Sequence, residues 1–384
     1  MAKVKTATPK VGSPREKFVH AGKQLKASLI EREDEIELVL TALVASENVL
    51  LVGAPGTAKS MLLDSVMDWL GGRTFSVLLN KFTTPEEVFG PYSVKGLKED
   101  KYVRITTGKL AEADGAFLDE VFKASSAILN TMLRILNERT FDCGDGIARR
   151  VPLKLVVAAS NEWPQEENGQ RELSALFDRF LLRKSVERVR GKKGVDRLWF
   201  GEVQAPEWDE RLTPTELEQA RTEAQTIPFT KDACDAVREL LHQLDKEGVR
   251  PGDRRQRKAA GVVRAAAWLA GHEEVKPSDL EVLAHILWDA PQEQPQKVAK
   301  IVGQVVNPEK SKLTAFIGQA EAIFLEATAR TSDLMGVAQA AAKLEEVLKE
   351  IDKIGKSESV KAANYYVRDM LHQIKMAALG MGGT

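Results

Sequence analysis

The chain has 384 residues, enough for two or three domains, and its 43% hydrophobic and 29% charged content fits a globular protein with a full core. Fifty-five basic residues against 56 acidic ones leave a formal net charge of −1, which excludes the global positive field that marks many nucleic-acid proteins. Two isolated cysteines, Cys143 and Cys234, argue against a disulfide framework or a zinc site. No apolar run reaches membrane-spanning length and the start lacks the apolar core of a signal peptide, so the expected location is cytoplasmic.

In chain order, residues 1–22 carry Lys, Pro, Gly and Ser and read as a flexible basic tail. Apolar positions over 25–43 predict helix, and the run Val49–Val52, ending at Gly53, predicts a buried parallel strand. Lys59–Leu70 predicts a helix closed by Gly71 and Gly72. Further strands are expected at 74–79, 115–118, 151–160 and 180–186, with a helix over 125–138. Strands alternating with helices over 23–188 define an α/β unit with a parallel sheet, whose ligands sit at the carboxyl ends of the strands. Residues 189–228 are polar and proline-bearing and read as a connector with some helix. Residues 229–295 read as a helical domain, interrupted by Pro291 and Pro295. Residues 300–384 read as a helical extension, with three helices split near Arg330 and Gly355.

Gly53-Ala54-Pro55-Gly56-Thr57-Ala58-Lys59-Ser60 follows a strand and opens a helix, the setting a phosphate loop requires. Backbone amides at such a helix start cradle phosphate oxygens, Lys59 reaches the outer phosphates, and Ser60 offers a hydroxyl to Mg²⁺. Ala58 stands where the pattern usually has Gly; it still offers its amide. Ala116-Phe117-Leu118-Asp119-Glu120 is an apolar strand ending in two acids. Beside a phosphate loop, Asp119 suits Mg²⁺ and Glu120 suits the attacking water, while a helix-capping acidic pair is the plainer alternative. Leu155-Val156-Val157-Ala158-Ala159-Ser160-Asn161 delivers Asn161 to the same sheet edge, where its amide can orient that water or simply serve a turn. Arg179, in Asp178-Arg179-Phe180, has the planar fork that bridges phosphate oxygens on a neighbouring subunit; an intrachain pair with Asp178 is the alternative, and Arg183 is a weaker candidate for the same work. Gly252-Asp253-Arg254-Arg255 opens a later helix, where Arg254 is a second candidate for the γ-phosphate and a solvated basic helix end is the alternative.

Together and in this order, these elements resemble AAA+ ATPases, and in detail the RavA-like branch of the MoxR family. The resemblance runs from residue 22 to about 290 and rests on the loop with Ala58, on Thr83-Thr84-Pro85-Glu86-Glu87-Val88-Phe89-Gly90-Pro91, on Phe117 to Glu120, on Ala158 to Glu162, on Asp178-Arg179-Phe180 and on Gly252 to Arg255. It implies an ATPase using ATP and Mg²⁺, with Lys59 and Ser60 in Walker A, Asp119 and Glu120 in Walker B, Asn161 as sensor 1, Arg179 as arginine finger and Arg254, or Arg255 beside it, as sensor 2. It further implies a helix-2 insert at 85–109, a pre-sensor-1 hairpin at 139–151 and a helical lid that meets a neighbour's nucleotide. By the same resemblance the chain would form hexamers, pair with a von Willebrand A domain protein and act on a protein client. The all-helical reading of 300–384 departs from the RavA branch, which carries a β-rich insertion there. Two other functions compete with protein remodelling. One is a nucleic-acid motor tracked by Arg149, Arg150 and the basic run from Arg188 to Lys193. The other is a non-hydrolysing nucleotide-dependent scaffold, against which Glu120 and Arg179 both argue.

Overall fold

The computed structural model describes residues 12–164, 171–202, 204–329, 334–355 and 357–378. Its elements in chain order are α1 Pro14–Ser28, α2 Glu33–Ala45, β1 Val49–Val52, α3 Lys59–Leu70, β2 Thr74–Leu78, α4 Pro85–Phe89, α5 Val94–Lys98, β3 Gly115–Asp119, α6 Ser126–Glu138, β4 Thr140–Asp142, β5 Ala148–Arg150, β6 Leu155–Ser160, α7 Arg171–Arg179 and β7 Leu182–Ser185. Then follow α8 Lys192–Phe200, α9 Pro214–Thr226, α10 Lys231–Lys246, α11 Asp253–Ala270, α12 Gln294–Val306, α13 Pro308–Ala329, α14 Leu334–Ile354 and α15 Glu358–Ala378.

Five parallel strands form one sheet in the order β2-β3-β6-β1-β7, flanked by helices. Every residue of β1 and β6 is buried. That is why these strands read as unbroken apolar runs: helices cover both faces, so no position alternates to water. Strand β6 sits between β1 and β3, with Val52 level with Ser160 and Leu118 level with Ala158. The sheet order therefore brings the ends of three sequence-distant strands side by side. A separate antiparallel pair, β4 with β5, stands outside the sheet.

The chain divides into two compact units. The first holds residues 1–235 and 244–298 and contains the sheet; the second holds 236–243 and 299–384. Within the second, α13, α14 and α15 pack on one another around Leu313, Ala320, Leu344, Ile351, Val367 and Ile374.

The structure differs from the sequence reading in several places. Residues 1–11 of the expected tail lie outside the described residues, but 14–22 belong to α1, which opens on a capping box between Ser13 and Glu16 and buries Phe18 and Ala21. The polar look of this stretch comes from its outer face; a short apolar stripe suffices to dock it, as Phe18 packs edge-on against both Trp69 and Trp268. Second, the helix expected from Lys23 to Ser46 breaks at Leu29, giving the end of α1 and the whole of α2. Third, the stretch 189–228 is largely α8 and α9, and α9 buries Leu217, Ala220 and Ala224. Pro295 does not break a helix but stands in the first turn of α12, where a proline is tolerated because its missing N–H had no partner to lose.

Candidate functional site

The loop between β1 and α3 is shaped by two residues. Gly53 sits so close to the backbone that a Cβ would lie 2.2 Å from the Val186 carbonyl oxygen, so only glycine fits. Ala58, just before α3, is left-handed at φ 62, ψ 22, a conformation glycine takes freely and alanine takes at a cost of roughly 1–2 kcal/mol. Strain of this kind persists only where the surroundings over-determine it, and it concentrates at ligand clamps.

Lys59 is 8% exposed, and its ammonium is folded back onto its own loop. It donates to the carbonyls of Gly53 at 2.7 Å and Ala54 at 2.9 Å and to Thr57 Oγ1 at 3.3 Å. Burial lowers its pKa, while Asp119 and Glu120 pull it back up. A buried cation held by neutral oxygens is ready to exchange them for anionic ones.

Gly53 N–H donates to the Ser160 carbonyl at 2.9 Å, which pins the loop to the end of β6. On the other side of β6, β3 ends in Asp119 and Glu120. Asp119 Oδ1 accepts the Glu120 amide at 3.0 Å. Glu120 is left-handed at φ 52 and 8% exposed, and its Oε1 accepts the side-chain amide of Asn161. Its Oε2 is buried without a directed hydrogen bond, although Lys123 Nζ lies 3.3 Å away as an ion pair. Lys59, Asp119, Glu120 and Asn161 thus meet at adjoining strand ends, with Ser60 in the first turn of α3. The orphaned carboxylate oxygen, the hard oxygens of Asp119 and Ser60 and the amides at the head of the 12-residue α3 fit a magnesium–nucleotide.

Beside the loop lies a cavity of about 380 Å³ whose walls include Leu29, Ile30, Arg32, Pro55, Met61 and Leu198. Most of these residues escaped the sequence reading, because they come from the turn before α2 and from α8. Arg32 is 6% exposed and braces the loop, donating Nε to the Thr57 carbonyl at 3.0 Å and Nη2 to the Glu187 carbonyl at 2.8 Å. Glu31 accepts the amides of Arg190 at 2.9 Å and Gly191 at 3.0 Å, fixing the entry to α8. No local pattern announces either residue; their role depends on contacts more than 150 residues away.

The two candidate arginines lie elsewhere. Arg179 and Arg254 line a second cavity of about 340 Å³ together with Leu136, Asn137 and Lys258. Arg179 donates Nη1 to Asp178 Oδ2 at 3.0 Å, and Arg254 donates to Asn137 Oδ1. Arg255, the neighbour of Arg254, is 5% exposed and pairs with Asp178 Oδ1 at 2.7 Å and Asp289 at 3.0 Å. Its fork is consumed inside the protein. Arg183 is fully buried: it donates to the carbonyls of Phe180, Trp288 and Phe177 and stacks 3.8 Å from the Phe177 ring centroid. Its candidacy as a finger on a neighbouring subunit is therefore withdrawn. A charge in a sequence carries no label of burial, and here it is one of the core's anchors.

The remaining stretches singled out in sequence form one construction. Strands β4 and β5 make a hairpin whose Cys143 carbonyl accepts the Arg104 amide at 2.7 Å, and Gly144 packs against the Tyr102 carbonyl too closely for any Cβ. Residues 92–105 and the hairpin are thereby held together, with Val94, Tyr102 and Ile147 exposed.

A parallel sheet in the order β2-β3-β6-β1-β7, with a phosphate-type loop after β1, acids after β3, an amide after β6 and a helical domain behind it, is the α/β fold of AAA+ proteins. Residues 16–221 match the family model of the MoxR domain in MoxR-vWA-beta-propeller ternary systems, and residues 232–302 match the AAA lid domain. The chain belongs to the MoxR family of AAA+ ATPases. An uncharacterized protein of Methanocaldococcus jannaschii is 39% identical over 274 residues, 70% of this chain and 71% of that one. Chaperone MoxR1 of Mycobacterium tuberculosis is 25% identical over 167 residues, 42% of each chain. A crystal structure from Cytophaga hutchinsonii, described as that of a candidate ATPase, shares the fold with a TM-score of 0.61 at 15% identity, covering 76% of this chain and 94% of that one. Among the described residues no helix is long and apolar enough to cross a membrane.

Proposed function

We propose that this protein hydrolyses ATP with Mg²⁺ at sites completed by a second copy of itself, in a hexameric ring, and that the cycle remodels a protein partner. The observation that carries the reading is the division of the site residues. The loop cavity and the arginine cavity share no lining residue. Arg179 also stands at the Asn48 end of β1, opposite the end that carries the loop, which supports a second chain as the one that presents it to the nucleotide.

In this reading the loop amides and Lys59 hold the phosphates, and Asp119 and Ser60 hold the cation, which neutralises charge on the phosphate oxygens. Glu120 takes a proton from the attacking water while Asn161 keeps its carboxylate oriented. Arg179 of the neighbour stabilises charge on the transferred group, an effect worth roughly 10³-fold or more in kcat in related enzymes. The apolar wall of Leu29, Ile30 and Leu198 suits the base. Two further points support the remodelling role: a mycobacterial relative is named a chaperone, and the family description names von Willebrand A and β-propeller companions. A von Willebrand A domain protein is accordingly the partner class proposed.

The test is ATP turnover against protein concentration for wild type, Glu120→Gln and Arg179→Ala. The reading expects specific activity that rises with concentration and collapses in both variants. Flat turnover indifferent to both substitutions would remove it. A nucleic-acid motor would instead show salt-sensitive stimulation by single-stranded DNA.

A further inference from the structure

Asn48 is the last residue before β1, 3% exposed, and stands at the opposite end of that strand from Gly53. Its carboxamide bonds three groups on two separate segments, the end of α6 and the end of α7. The Nδ2 group donates to the Leu136 carbonyl at 3.2 Å and to the Arg179 carbonyl at 3.3 Å, and Oδ1 accepts Arg139 Nη2 at 2.7 Å. An amide has one acceptor and two donors in a fixed plane, so no other side chain of this size serves both carbonyls and the guanidinium at once. Arg139 ends α6 in a left-handed conformation at φ 54 and begins the β4–β5 hairpin. The preceding residue, Glu47, pairs with Lys258 of α11 at 2.7 Å, one turn beyond Arg254.

We propose that Asn48 is a positioning residue for Arg179, tying that arginine and the hairpin root to the foot of the strand whose other end carries the phosphate loop. The proposal rests on the reading that Arg179 serves a neighbour's nucleotide. The side chain of Arg179 has few constraints of its own: one exposed-side pair with Asp178, and an Nε that is buried without a partner. Its backbone carbonyl is held by Asn48, between the Phe177 and Phe180 carbonyls that Arg183 holds. A shift of the loop on nucleotide binding would reach Arg179 through the short, fully buried β1, and so pass from one site to the next around a ring.

The substitution that isolates this role is Asn48→Asp. It keeps the shape and the acceptor for Arg139 but removes both N–H donors and faces the Leu136 and Arg179 carbonyls with an oxygen. The expected result is a fall in kcat of about 10–100-fold, since misplacing a group by an ångström costs on that order, with nucleotide affinity close to wild type; the melting temperature falls as well, because two buried carbonyls lose their donor. A purely structural role would lower nucleotide affinity and kcat together in the protein that remains folded.

Subunit mixing separates this proposal from the reading beneath it. Arg179→Ala chains mixed with Glu120→Gln chains should regain activity, because the second kind supplies intact arginines to the first. Failure of that mixture overturns the shared-site reading and this proposal with it. Arg179→Ala chains mixed with chains carrying both Glu120→Gln and Asn48→Asp should regain about 10–100-fold less. Equal recovery in the two mixtures leaves the shared site standing and overturns the role of Asn48. Asn48→Ser, which keeps one donor on a shorter reach, is the second variant. If neither variant folds and co-elutes with its partner chains, Asn48 belongs to the fold alone and the proposal is wrong.

Discussion

The side-chain amide of Asn161 donates to Oε1 of Glu120, joining the ends of two neighbouring strands that are 41 residues apart in sequence. The bond exists because β6 lies beside β3 and their registers bring both ends to the same edge. It leaves Oε2 of Glu120 without a directed hydrogen bond, 3.3 Å from Lys123 Nζ, and in the proposed reading this is the oxygen that takes the proton. Asn161→Ala frees the carboxylate from its orienting amide. We expect kcat to fall about 10²-fold, the usual result of removing one preorganised donor, while the KM for ATP changes little. Steady-state kinetics on folded protein checks this, and an equal rise in KM would mean that Asn161 serves binding instead.

Arg254 and Arg255 are adjacent in sequence and opposite in setting, so their alanine variants should fail differently. Arg255→Ala removes a buried guanidinium that pairs with the half-exposed Asp178 and Asp289 and donates to the Ile286 carbonyl, a loss of about 1–3 kcal/mol through packing and the orphaned carbonyl. Arg254→Ala removes an exposed contact to Asn137 and should change stability by less than about 0.5 kcal/mol, yet abolish most turnover. Urea unfolding beside ATP turnover separates the two.

Ala58 holds a left-handed conformation with a side chain that disfavours it. Ala58→Gly should raise the free energy of unfolding by about 0.5–1 kcal/mol, the relief being partly offset by the freer unfolded chain, and should leave nucleotide binding intact. Ala58→Val, adding a β-branch in the same conformation, should destabilise. The ordering of the urea midpoints, Gly above Ala above Val, is the observation to make.

His285 sets an acid limit on stability. Burial, with Lys184 close by, pushes its pKa down to about 4, so it stays neutral in the folded protein while the unfolded chain takes up a proton near pH 6.5. Between those values the unfolded state binds more protons. Stability from this group is therefore complete above about pH 6.5 and is lost as pH falls toward 4, by up to about 3 kcal/mol. His285→Gln should flatten that part of the stability–pH curve. An unchanged slope would assign the acid sensitivity to other groups.

Much of the first unit could be read from local pattern. Strand β1, the loop to Lys59 and α3 form one continuous stretch whose apolar run, glycines and helix start each have a local physical cause. The acids after β3 and the amide after β6 could be placed at strand ends for the same reason. The bounds of α1 and α9 could not, because their apolar stripes are narrow and become meaningful only against Trp69, Trp268 and α2. Leu29, Ile30, Arg32 and Leu198 had no local signal either, since a cavity wall is defined by what faces it.

The sequence by itself determined the chemistry on offer: a phosphate-binding loop, two acids, an amide and several arginines, in an order that specifies an α/β sheet. Hydrogen-bonding groups and apolar periodicity are properties of the residues and their neighbours, so they survive in one dimension. Tertiary structure decided which arginines are enclosed and which remain accessible. Arg183 and Arg255 are buried and spent on carbonyls and carboxylates, whereas Arg179 is partly exposed and Arg254 exposed, beside a cavity that Arg255 also borders. It also made Asn48 the joint between three segments. Burial and proximity arise only when the sheet brings distant stretches together, and the cost of an enclosed charge then dictates how it must be paired.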